Sequence, residues 1–279
     1  MKFLIKMALN RVLNNQRIRR FLIESLFTPG RLNAKQKVSL LNKLRREIVG
    51  DIFAYPSVVN NGYLHIERSI DILRSRNLPN LLILDIGAAA GETCILFAKA
   101  FPTATIHGFE PIAETFRRLE LNVAPFGNIR VHRTALGSVR SRAKINVLNR
   151  VTSSSILEAD PNSAFNGEDF FEARRTEEIQ IDQLDNFVRP GDSIALVKMD
   201  VQGFELEVLK GATASLGQTH FVLLEMQNHN IYKGAPQYYE LDEFLRNAGF
   251  ELFEIVPSIR EALQIKEFDA IYMNRMLQG

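Results

Sequence analysis

Apolar positions recur at helical spacing over residues 1–28, at Ile5, Leu9, Val12, Leu13, Ile18, Leu22 and Leu26. Pro29-Gly30 interrupts that run, and residues 34–48 and 65–76 read as further helices. From residue 81 the pattern changes. Short, nearly continuous apolar runs alternate with turns and amphipathic segments. LLILDI precedes a helix over GETCILFAKAF, and ATIHGFE precedes a helix over IAETFRRLELNV. IRVHRTAL reads as a third strand. KINVLN and EEIQI read as short strands flanking the polar stretch TSSSILEADPNSAFNGEDFF. SIALVKMD, a helix over ELEVLKGA, FVLLEMQ, a helix over YYELDEFLRNAG, and the strands ELFEIV and DAIYMN follow.

Strands alternating with helices imply right-handed crossovers and a mainly parallel sheet buried on both faces. No helix-length segment separates the last two strands, so they are expected to pair antiparallel. The expected class is α/β and Rossmann-like, with helices on both faces and a helical extension at the N-terminus. The boundaries are an extension over residues 1–60 and a cofactor-binding domain over 61–279. In such sheets ligands bind beyond the carboxyl ends of the strands.

Composition narrows this little: 46% hydrophobic and 24% charged residues are ordinary for a globular chain. One cysteine, Cys94, is too few for a disulfide framework or a multi-cysteine zinc site. It falls within a predicted helix and reads as core. No apolar run approaches the roughly 20 residues that span a bilayer. MKFLIKMALNRVLNN is interrupted by Lys6 and Arg11, unlike a secretory signal, so a cytoplasmic location is expected. Charge is more informative. Residues 1–50 hold twelve bases and two acids, a charge of +10, which leaves −8 for the remainder of a chain whose net is +2.

The strand ends carry the candidate chemistry. In LLILDIGAAAGET, Asp85 ends a strand, Gly87 occupies the turn and Gly91 precedes the helix. Gly87 suits a tight turn, and Gly91 permits close approach at the helix N-terminus. A carboxylate at Asp85 repels a pyrophosphate but attracts an ammonium. The G-x-G-x-x-G spacing of nicotinamide sites is absent. Glu110 ends the next strand, 25 residues after Asp85, near the spacing at which an acid takes a ribose diol. An acid for an ammonium and an acid for a ribose outline S-adenosylmethionine.

The segments DIGAAAGET, FEP, TALGS, TSSSIL, IQIDQLDNF and LVKMDVQGFELEVLKGA, in that order, resemble the FkbM family of S-adenosylmethionine-dependent methyltransferases. The resemblance covers residues 81 to about 275. It implies a seven-stranded class I methyltransferase sheet and O-methylation of a hydroxyl, often on a carbohydrate or a small-molecule metabolite. By matched position it implies that Asp85, Gly87, Gly91 and Glu110 hold the cofactor, with Thr134 and Ala135 near adenine. Asp200 is then near the methyl group and the acceptor. The chain departs from the family at Gln202, where Glu is common.

A sugar hydroxyl is a poor nucleophile, so a base helps. The candidates are Asp200, Glu225 at the end of FVLLEMQ, and His229 just beyond it. Lys198 is two residues from Asp200 on the same strand face, so an Asp–Lys pair with a purely structural role is the alternative there. Asp200 and Glu225 also permit a metal-assisted reaction, and a non-catalytic binding module is a further alternative. Ser153, Ser154 and Ser155 open a stretch long enough to serve as a binding loop or lid. The basic residues 1–50 read as a packed helical extension, a membrane-surface helix or a nucleic-acid arm. Few aromatics interleave with those bases, and DVQG is not the Pro-Pro-aromatic segment of base methylation, so a nucleic-acid acceptor is not expected. Oligomeric state is not encoded in any of these features.

Overall fold

The computed structural model describes residues 63–277 except 77, 162, 164–171, 230 and 262–263, and no side chains are described at 257–266. Chain contacts divide the molecule into two units, Met1–Gly62 and Tyr63–Gly279. The helices expected in residues 1–60 lie outside the described residues, as does half of the polar stretch after KINVLN.

Helix α1 (Leu64–Arg76) is followed by β1 (Leu82–Ile86), α2 (Glu92–Ala100), β2 (Thr105–Phe109), α3 (Ala113–Val123) and β3 (Ile129–His132). Then come β4 (Ala135–Leu136), β5 (Ser141–Leu148), β6 (Ala173–Asp182) and β7 (Ile194–Met199). The chain continues through α4 (Glu205–Lys210), α5 (Thr213–Leu216), β8 (Thr219–Gln227), α6 (Tyr238–Asn247), β9 (Phe250–Glu261) and β10 (Gln264–Asn274).

Seven strands form one sheet in the order β3-β2-β1-β7-β8-β10-β9. β3, β2, β1, β7 and β8 are parallel, while β10 runs antiparallel to both β8 and β9. The seven-stranded sheet expected from the sequence is thus present, with one reversed strand inserted next to the edge. The strand order turns back between β1 and β7, so their carboxyl ends flank a crevice, the place where α/β sheets bind ligands. β7 is buried at all six positions, which accounts for its unbroken apolar run.

One face of the sheet packs Leu84, Ile86, Val197, Met199, Val222 and Leu224 against Val208 and Leu209 of α4 and Leu241 and Leu245 of α6. α3 buries Thr115, Leu119 and Val123, one stripe at a spacing of four. α6 begins in a capping box in which Gln237 and Glu240 satisfy each other's backbone amides.

One element differs from the sequence reading. IRVHRTAL is not one strand. Thr134 interrupts it, its amide bonding His132 O and its hydroxyl shared between the carbonyls of Ala135 (2.9 Å) and Gln180 (3.2 Å). A Thr side chain that bonds backbone locally competes with a ladder. β4 therefore leaves the main sheet and pairs with β6, which with β5 makes a second sheet ordered β4-β6-β5. The helix over ELEVLKGA is α4, which ends at Lys210, and α5 follows it separately. A side chain at Gly211 would stand 1.9 Å from the Gly137 carbonyl oxygen, so the chain passes too close to the β4–β5 turn to continue one helix. No helix among the described residues is long and apolar enough to cross a membrane.

Candidate active site

The turn after β1 takes positive φ at Gly87 (79°), Ala89 (46°) and Gly91 (94°). A Cβ at Gly87 would lie 1.9 Å from the Asp200 carbonyl oxygen. Glycine here lets the turns after β1 and β7 touch, and Asp200 N donates to Ile86 O at 3.0 Å. At Gly91 a Cβ would meet Leu119 at 2.7 Å and Val123 at 3.0 Å. That glycine admits side chains of α3 beneath the start of α2.

Asp85 is wholly buried. Cys94 donates its thiol proton to Oδ2 at 3.2 Å, and the Lys198 ammonium lies 3.1 Å from Oδ1. Apart from that ion pair, Oδ1 has no hydrogen-bond partner among the described residues. Burial, then the charge of Asp85, pushes the Cys94 thiol well above its ordinary pKa, so it is a donor and not a nucleophile. Lys198 bridges strands. Its Nζ also lies 3.8 Å from Asp200 Oδ2 and donates to Gly87 O at 3.3 Å. Burial works against its charge, but Asp85 and then Asp200 raise its pKa. Asp85, Lys198 and Asp200 together carry one net negative charge. The pair expected between Lys198 and Asp200 is thus part of a three-residue row across β1 and β7.

Glu110, just beyond β2, is 6% exposed. Its Oε1 accepts from Ile112 N at 2.8 Å, and the amide of Ala89 in the β1 turn also stabilises the carboxylate. Burial outweighs these bonds and pushes its pKa up to about 7. Lys198 influences it as well, so both acids, Asp85 and Glu110, share one electrostatic neighbourhood. Thr134 and Ala135 lie buried where β3 gives way to β4.

Asp200 is different from its neighbours: its side chain is 42% exposed. Gln202 Nε2 donates to Asp200 Oδ1 at 2.8 Å and to Glu225 Oε2 at 3.2 Å. Burial, then the charge of Asp200, raises Glu225 well above the ordinary carboxylate range, and Glu267 and Asp269 on β10 add to it. Asp269 pairs with His65 of α1 at 3.2 Å. Tyr63 stands beside this group, its pKa pushed up to about 12 by burial and then by Glu92. His229 is exposed in the turn after β8, with Nδ1 against Asn228 O. It is thus separated from the buried row. Ser154 accepts from Leu148 N, and Ser155 donates to Gln202 O at 2.7 Å. Glu205 accepts the amides of Val201 and Gly203, each at 3.2 Å, and so ties the DVQG turn to α4.

Residue reasoning therefore found the acids and missed how they are joined. Lys198 was in view only as a local partner of Asp200. Tyr232, His65 and Asp269 carried no local signal at all. Gln202 carried one, as the departure within the most specific motif.

These residues fit a cationic nucleoside. Glu110 is a buried carboxylate that has no ion-pair partner among the described residues, set against the glycine turn. The Asp85–Lys198–Asp200 row keeps one negative charge, suited to a sulfonium. Among the described residues, no three His, Cys, Asp or Glu side chains are grouped to hold a metal ion. In the gap between Asp200 and Glu225, the amide hydrogens of Gln202 are directed at both carboxylates.

The methyltransferase FkbM domain family matches residues 85–252. The 2-O-methyltransferase NoeI of Sinorhizobium fredii is 28% identical over 171 residues, 56% of this chain and 67% of that protein. The AMB antimetabolite synthetase AmbE of Pseudomonas aeruginosa is 25% identical over 225 residues, 68% of this chain and 10% of that protein. Among solved structures, magnesium protoporphyrin IX methyltransferase from Synechocystis PCC 6803, with bound S-adenosylmethionine, superposes with a TM-score of 0.44 at 11% identity over 97% of each chain.

Proposed function

This chain belongs to the methyltransferase FkbM domain family, and from that premise we propose O-methylation of a hydroxyl on a carbohydrate or small-molecule metabolite. It is an S-adenosylmethionine-dependent methyltransferase. The non-catalytic alternative falls with that class. A 2-O-methyltransferase among its relatives supports an oxygen acceptor.

The cofactor, when bound, supplies a methyl group on a sulfonium. Glu110 is placed to accept hydrogen bonds from ribose hydroxyls, and the turn Gly87–Gly91 brings backbone close to the nucleoside. Asp85 acts on the cationic end through its row with Lys198. Thr134 and Ala135 border the adenine side. Asp200 orients the acceptor hydroxyl and takes its proton. Glu225, whose pKa burial and the charge of Asp200 raise, faces the acceptor as a hydrogen-bonding group rather than as a second base. His229, in the exposed turn, contacts the acceptor's outer part.

The observation that carries this reading is the exposure of Asp200. Among the acids at these strand ends it is 42% exposed, while Asp85 is sealed. It is the carboxylate that an incoming hydroxyl reaches. Asp200→Asn is expected to lower methyl transfer about 10²- to 10³-fold, within the range for general-base help. Binding of S-adenosylhomocysteine should stay within about threefold, since its neutral thioether presents no sulfonium charge to the row that Asp200 shares. Labelled methyl donor and fractionated extract are the assay. Label should enter carbohydrate or small-metabolite fractions. Wild-type transfer by Asp200→Asn, or label confined to RNA, would reject the reading.

A further inference from the structure

Gln202 has a φ of 55°, the left-handed region that non-glycine residues rarely occupy. Strain of that kind persists where the surroundings over-determine it. Four contacts do so here. The side-chain nitrogen donates to Asp200 and Glu225. The side-chain oxygen lies 2.8 Å from the Tyr232 hydroxyl, which is also 2.6 Å from Ser153 O and shares its one proton between them. The backbone oxygen accepts from Ser155.

Those contacts join two loops that are distant in sequence. Asp160 N donates to Ile231 O at 2.9 Å and Lys233 N to Glu158 O at 2.8 Å, so the loop after β5 zips onto the loop after β8. Leu157 packs with Ile231, Tyr232 and Ala235. A Cβ at Gly203 would come within 3.0 Å of Ala235 and 3.2 Å of Leu157, so the DVQG turn lies directly beneath both loops.

We infer that Gln202 is the positioning residue that locks the base carboxylate and the two loops above it into one network, so that order in the loops sets the orientation of Asp200. The inference rests on the reading of Asp200 as the base. An amide is the group required, because each of its two hydrogens serves one carboxylate while its oxygen faces Tyr232. A carboxylate in its place has no hydrogen to give unless it is protonated.

The test uses the full chain with bound S-adenosylhomocysteine and selectively 13C-labelled glutamate, so it needs no acceptor. Glu225, on β8, is faced by Asp200 from the end of β7, by Glu267 and Asp269 from β10 and by Tyr232 from its loop, with His65 behind Asp269. Gln202→Met removes the donor and keeps the bulk. The Glu225 titration midpoint should rise by about one pH unit, the scale of one lost hydrogen bond to a carboxylate. In the labelled-methyl assay the same variant should lose about 10- to 100-fold in kcat with cofactor binding unchanged. Gln202→Glu should move the acidic limb of kcat/KM to higher pH. Tyr232→Phe, which keeps the packing of Leu157 and Ala235, should raise the acceptor KM and serves if Gln202→Met does not fold. An unmoved Glu225 midpoint in Gln202→Met overturns the inference. So does an unchanged acceptor KM in Tyr232→Phe. If Asp200→Asn is fully active, the reading beneath it fails instead, whatever Gln202 does.

Discussion

Glu110 keeps its proton up to about pH 7 because burial disfavours its charge more than the amides of Ile112 and Ala89 favour it. A ribose diol donating to that carboxylate prefers it ionised, so binding takes the proton away. Affinity for S-adenosylhomocysteine should then rise with pH up to about 7 and level off. By calorimetric titration, binding at pH 6 should be about tenfold weaker than at pH 8, as linkage to one such group requires. Glu110→Gln should bind more weakly and lose that dependence. A flat profile in the wild type would separate Glu110 from the cofactor. At this scale the strand-end acids were legible, because a carboxylate that ends an apolar run is conspicuous. Their burial was not. Asp85 reads in sequence as an open ligand for an ammonium, yet it is sealed by Cys94 and Lys198, the latter from a strand more than a hundred residues later.

The DVQG turn and α4 form the element that carries Asp200, and Glu205 holds them together. Its carboxylate accepts two amides and is pushed up to about 7 by burial. A native pKa raised above the ordinary 4.5 means that the folded chain holds this proton more tightly than the unfolded chain. The associated stability is fully present below about pH 4.5 and is lost as pH rises through about 7. Glu205→Gln keeps the accepting oxygen and removes the titration. Its Tm should change less than that of the wild type between pH 5 and pH 8, as followed by circular dichroism. Parallel curves would show that Glu205 does not titrate there. The strand-to-helix order was readable at this scale from periodicity and glycine turns. The break was not. IRVHRTAL divides because Thr134 finds Gln180, and α4 stops where Gly211 meets Gly137 before α5 begins. Both causes are contacts between separate segments.

At the scale of the molecule, the sheet and its helices lie within Tyr63–Gly279, and the basic residues precede them. A fragment of residues 63–279 should melt in one cooperative transition and bind S-adenosylhomocysteine as the full chain does. The full chain should also bind anionic vesicles at low salt, where the fragment does not, because +10 resides in residues 1–50. A fragment that fails to fold would move the boundary, and equal vesicle binding would acquit the basic segment. The sequence alone determined the class of sheet, the antiparallel last pair and the acids at the strand ends. Apolar runs, turns and helix stripes are local patterns, and local patterns are written in consecutive residues. Only the tertiary structure decided which acids meet. Crossovers bring Lys198 between Asp85 and Asp200, and set Tyr232 and Ser155 on Gln202. Those contacts depend on fractions of an ångström between segments far apart in the chain, and no spacing along the chain encodes such a distance.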